Sequence, residues 1–96
     1  MFLMDIVRAG GETFGICPRD IMSPKRTRET VMARYAIQKA MSLRGNSTVK
    51  IGTVMGRDHS TVCHALQRAD KWSENDPFYK ERINYLASLS GYDLKH

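Results

Sequence analysis

The sequence predicts an all-α fold, a compact helical bundle that contains a helix-turn-helix. Apolar residues recur at spacings of three and four along most of the chain, the period of an amphipathic helix. Ser47, Asp58 and Asp76 stand where helix N-caps belong, and Pro77 follows at a first-turn position. Gly56 and Arg57 form a tight turn between two adjacent helical segments. The 96 residues amount to one domain with one modest core. We place that domain at residues 1–91, its helix-turn-helix at residues 47–72 and a flexible tail at residues 92–96.

Leu3, Ile6 and Val7 share one face of a short first helix over residues 3–9, which Gly10 and Gly11 are expected to end. Residues 12–17 are ambiguous: Phe14 and Ile16 are core candidates, but Gly15 weakens a helical reading. Pro18 opens a turn in which Ile21 and Met22 give something to bury, and Ser23 and Pro24 close it. The loop of residues 25–28 carries Lys25, Arg26 and Arg28. A longer helix follows over residues 30–43, with Thr30 as its expected cap and Ala33, Ala36, Ile37, Ala40 and Met41 as its apolar stripe. Arg34 and Gln38 are read as a more polar face, and Gly45 and Asn46 as the terminator.

Residues 47–55 read as a short helix capped by Ser47 and buried through Val49, Ile51, Val54 and Met55. The alternative is a β segment, which Thr48, Val49, Ile51, Thr53 and Val54 would favour. Gly52 lowers helix propensity but permits close approach of another helix. Asp58 then caps a helix reaching Trp72, with Val62, Ala65, Leu66, Ala69 and Trp72 inward. A polar loop at residues 73–76 leads to the final helix, which Asp76 caps, Tyr79, Ile83, Leu86 and Ala87 bury and Gly91 ends.

The formal net charge is +5, and its placement is uneven. Between residues 18 and 72, eleven Lys or Arg face four Asp or Glu, whereas the remainder has four basic and six acidic residues. A polyanion such as DNA or RNA is the natural partner for such a field, with an ordinary solvated basic face as the bland alternative. No apolar run approaches the roughly 18 residues of a membrane span, so no membrane partner is expected. Residues 1–6 lack the pattern of a signal peptide. Cys17 and Cys63 form no CxxC unit, which argues against a disulfide framework and for a cytoplasmic protein, one expected to be nucleoid-associated if its partner is DNA. His59, Cys63 and His64 are too few and too local for a tetrahedral zinc site. No cofactor, metal or enzyme activity is expected: there is no phosphate-binding GxxxxGK[ST] loop and no nucleophile with an obvious base.

In a helix-turn-helix the second helix enters the major groove and its first residues meet base edges. Asp58, His59, Ser60 and Thr61 hold those positions. Asp58 can accept from a cytosine amino group or serve only as the cap; His59 can donate to a base or a phosphate. Thr61 can set its methyl against a thymine methyl, and Ser60 suits the phosphate backbone. Arg26, on the loop, suits a narrow minor groove, where the potential is most negative. Lys25, Arg28 and Arg34 read as phosphate clamps; Lys50, Arg57 and Arg68 complete the set of expected backbone contacts.

The run Gly56-Arg57-Asp58-His59-Ser60-Thr61-Val62, with His64-Ala65 after it, closely resembles the signature of the C-terminal DNA-binding domain of the bacterial replication initiator DnaA. The run from Asp20 to Arg28 resembles that domain's basic loop, and the likeness extends over about residues 1 to 90. The resemblance implies an all-helical, Trp-repressor-like fold and binding to duplex DNA at the initiator's asymmetric box. It implies base contacts at Asp58, His59 and Thr61 in the major groove, Arg26 in the minor groove, and Lys25, Arg34 and Ser60 at or near the backbone. The chain departs from the family pattern where Met32 and Ala33 replace an arginine and a proline, where Gly56 stands alone in the turn, at Lys50, which is often acidic, and at Gly10 and Gly11. The initiator's ATPase finds no room in this length. The chain is read as a stand-alone small protein, of phage or mobile-element kind if complete, that regulates replication initiation or transcription; the alternative is a domain excised from an initiator. A monomer suffices for an asymmetric site, with a protein partner as a further possibility. The rival reading is a protein-interaction adaptor that keeps the fold without specific DNA recognition.

Overall fold

A computed structural model describes residues 3–89, and among them every regular element is a helix. The order is α1 (Leu3–Phe14), α2 (Pro18–Met22), α3 (Arg28–Leu43), α4 (Thr48–Met55), α5 (His59–Asn75) and α6 (Pro77–Ser88). Helix α3 runs through the centre and packs against α1, α5 and α6, while α4 rests on α5 and α2 lies across α1 and α3. The main core joins Ile6, Val7, Ile21, Ile37, Met41, Ile51, Met55, Val62 and Leu86. A second cluster gathers Ala36, Ala69, Tyr79 and Ile83, with Phe14, Tyr35 and Trp72 against it. The Tyr79 phenol donates to the Met32 carbonyl at 2.7 Å, so its polar tip is satisfied where the ring is buried. No helix among the described residues is long and apolar enough to cross a membrane.

Several sequence expectations need correction. Gly10 and Gly11 do not end α1; the helix passes through both. A Cβ at Gly10 would stand 2.3 Å from Ile37 Cγ1, so glycine here lets α1 press onto α3. Gly15 is the true terminator: it adopts φ 69°, and Ile16 N–H returns to the Gly11 carbonyl at 2.8 Å. Helix α3 starts at Arg28, not Thr30, because Thr27 is the cap and accepts from Thr30 N–H at 3.3 Å. Arg28 therefore lies in the first turn of a helix, not in the loop. The polar stretch after Trp72 is not a loop either. Helix α5 continues to Asn75, and Ser73 Oγ folds back onto the Ala69 carbonyl at 2.8 Å. Only Asp76, held extended before Pro77, separates α5 from α6.

Residues 48–55 are helical, which removes the β alternative. Val49 is not among the buried residues of α4; it is 66% exposed. Arg34 and Gln38 do not form a polar outer face: they are 5% and 0% exposed, because α3 is surrounded by other helices. Gly91 and residues 92–96 lie outside the described residues.

Candidate nucleic-acid interface

The helix-turn-helix is built from local chemistry. Ser47 Oγ accepts from Lys50 N–H at 3.1 Å and starts α4. Gly56, at φ 66°, stops it in the left-handed conformation, and Arg57 N–H closes the turn on the Gly52 carbonyl at 2.9 Å. One glycine therefore suffices where the family pattern led us to expect a longer turn. Asp58 Oδ1 accepts from Thr61 N–H at 2.8 Å and opens α5. That backbone bond, reinforced by the Thr61 hydroxyl, holds the Asp58 carboxyl below its ordinary value. Asp58 is thus a charged cap at the positive end of the helix dipole.

His59, Ser60 and Thr61 are exposed on the first turn of α5. The His59 ring is tethered across the turn: its Nδ1 stands 2.7 Å from Thr48 Oγ1 on the first residue of α4. Its Nε2 is 3.8 Å from Cys63 Sγ. Sequence reasoning missed Thr48, because no local pattern signals a bond between the starts of two helices. Among the described residues, no three His, Cys, Asp or Glu side chains gather closely enough to hold a metal ion.

The basic loop meets this turn through the carbonyl of Ser23. Lys25 and Arg26 are exposed, as is Arg28 in the first turn of α3. Lys25 Nζ reaches Asp20 at 3.4 Å, an exposed pair of little energetic weight. Arg34 departs from the role of an outward phosphate clamp. Its Nε donates to the Ile21 carbonyl at 2.8 Å, and its Nη2 faces the carbonyls of Ser23, Lys25 and Asp20 at 2.7, 2.9 and 3.2 Å. The half-buried Arg57 donates from Nη2 to the same Ser23 carbonyl at 2.9 Å. Burial, and then the neighbouring Arg57 charge, push the Arg34 guanidinium below its ordinary value; Arg26 adds in the same direction. Ser23, which sequence reasoning used only as a turn residue, is where the loop and the helix-turn-helix meet.

The remaining sequence-predicted cations lie farther along the two helices. Lys50 is exposed on α4. Arg68, exposed on α5, sits over the Trp72 ring with its guanidinium carbon 5.1 Å from the centroid. Trp72 in turn stacks on Tyr35, with centroids 5.6 Å apart. The structure thus brings Arg34 and Arg57 together on the Ser23 carbonyl, beside the loop that carries Arg26, and it brings Asp58, His59, Ser60 and Thr61 together on one helix end.

The family model described as bacterial dnaA protein helix-turn-helix matches residues 3–69. The chromosomal replication initiator protein DnaA of Acinetobacter baylyi is 37% identical over 87 residues, which are 88% of this chain and 19% of that protein. Its counterpart from Acinetobacter baumannii is 38% identical over the same shares. That of Streptococcus pyogenes is 38% identical over 84 residues, 85% of this chain and 19% of that protein. The chain therefore spans about a fifth of the length of the curated relatives it matches.

Proposed function

The chain belongs to the bacterial DnaA helix-turn-helix family, and from that premise we propose that it reads duplex DNA at sites resembling the initiator's box. The observation that carries this reading is the pairing of two exposed elements across one hydrogen-bonded turn. One is the capped N-terminus of α5; the other is the basic loop tied to that turn at Ser23. In this reading α5 enters the major groove and Asp58, His59 and Thr61 meet base edges, with Ser60 at a phosphate. The backbone N–H groups of the first turn add to the pull on phosphate. Arg26 enters the adjacent minor groove. Lys25, Arg28, Lys50 and Arg68 neutralise phosphates and set register without reading sequence.

Control of replication initiation or of transcription is the biological role that fits such a reader. The site is asymmetric, so one copy of the chain suffices. The test is competitive binding at fixed salt to the initiator's box and to a scrambled duplex of equal composition. Preference for the box supports the reading. Equal binding that fades smoothly with salt reduces the protein to an electrostatic binder. No binding to either duplex favours an adaptor that uses the fold on a protein.

A further inference from the structure

We infer that Arg34 and Arg57 are positioning residues that lock the basic loop to the helix-turn-helix through the Ser23 carbonyl, making Arg26 and the start of α5 one reading unit. The inference rests on the duplex-reading proposal above and assigns these two arginines a positioning role within the protein.

Donors that are spent on the protein's own carbonyls fix its loops. Arg34 is 5% exposed, and its Nε and Nη2 point at carbonyls of residues 20–25. The two hydrogens of Nη2 face three carbonyl oxygens, of which Ser23 and Lys25 are nearest. Arg57 arrives from the turn, 34 residues along the chain, and donates to the same oxygen, which can accept two hydrogen bonds. Two guanidiniums converging on one acceptor repel each other, a cost that adds to the larger cost of burying the Arg34 cation. That cost is tolerable where the shared oxygen fixes a useful geometry and an anionic partner lies near.

The line of fixed atoms is continuous. Arg57 N–H is closed on the Gly52 carbonyl, so the base of its side chain does not wander. Its guanidinium holds Ser23 O, and Arg34 holds both Ser23 O and Lys25 O, the residue just before Arg26. A loop held this way has already lost the freedom that binding would otherwise remove. The planar fork matters more than the charge. Lysine at either position keeps the cation but cannot span several carbonyls.

The experiment uses Arg34→Lys and Arg57→Lys in the full chain, each alone and combined with Arg26→Ala. Circular dichroism checks that helix content is kept, and Arg57→Lys, at the less buried site, is the variant safer for folding. One arm needs no DNA: the rate of tryptic cleavage after Lys25, Arg26 and Arg28. The inference predicts faster loop cleavage and about a tenfold fall in preference for the box over the scrambled duplex. It also predicts that Arg26→Ala costs little more once the staple is gone, the non-additivity of residues acting as a unit. The salt slope should stay that of the parent, whereas Lys50→Ala, a phosphate contact, should lower it by about one. Parental preference in both lysine variants, with the Arg26→Ala penalty intact or loop cleavage unchanged, overturns the inference. A parent chain without box preference overturns the duplex-reading proposal instead, and the cleavage arm then still reports whether the staple exists.

Discussion

Gly52→Ala is a one-carbon change that tests how the helix-turn-helix is set. A Cβ at this position would lie 2.5 Å from the Arg57 carbonyl oxygen and 3.6 Å from Val62 Cγ2. The near atom is backbone, so no side-chain rotation relieves the contact. The turn must open, and with it the 2.9 Å bond from Arg57 N–H to the Gly52 carbonyl. Alanine gains about 1 kcal/mol over glycine in helix propensity. Against this stand about 1–3 kcal/mol for overpacking and about 1 kcal/mol for a weakened hydrogen bond. The balance is a loss of about 2 kcal/mol. For a domain of this size that lowers Tm by roughly 8–16 °C. Thermal unfolding followed by circular dichroism reads it directly, with exposed Thr53→Ala on the same helix as the control. An unchanged or raised Tm in Gly52→Ala would refute the reasoning, because the propensity gain would then be unopposed.

Other changes give independent checks. Gln38 is fully buried with neither amide atom hydrogen-bonded among the described residues, so Gln38→Met should raise stability by about 1 kcal/mol in denaturant titration; a loss would show that the amide has a partner. Asp58→Asn keeps a good cap and removes the charge. The folded Asp58 carboxyl is depressed, so its stabilisation is present above the ordinary value of 3.8 and is lost as pH falls through the lower folded value. Tm measured from pH 6 to pH 2 should therefore fall less steeply in acid for Asp58→Asn than for the parent. An equal acid slope would contradict the assignment. Removing the Thr48 hydroxyl frees the His59 ring, so Thr48→Val should weaken box binding severalfold while leaving the salt slope unchanged. Equal affinity would show that the tether has no part in reading.

What was legible in the sequence was chiefly local. Ser47, Asp58 and Asp76 cap helices because the bond each makes lies three residues away and needs no tertiary knowledge. The turn at Gly56 was visible for the same reason. Thr27 was mistaken for loop because Thr30, three residues on, offers the same chemistry and the two hydroxyls bond each other at 2.7 Å. Gly10 looked like a breaker because propensity cannot see Ile37 of α3 pressing against it. Arg34 and Gln38 looked solvated because side-chain type alone does not reveal that a helix is enclosed on several sides. At the site, the exposed run from Asp58 to Thr61 and the cationic loop could be read directly. The Thr48–His59 bond and the meeting of Arg34 and Arg57 at Ser23 join residues distant in the chain, and a single sequence carries no signal for them.

The central claim is that the α5 N-terminus and the Arg26 loop read different parts of one site. The most direct measurement is the affinity for a set of box duplexes, each with one base pair replaced, for the parent, His59→Ala and Arg26→Ala. The account predicts that each variant loses discrimination at its own group of positions, about 1–3 kcal/mol per contact, while the other group is still read. If both variants weaken binding uniformly across the set, these side chains supply charge or shape alone, and the account of a two-part reader is contradicted.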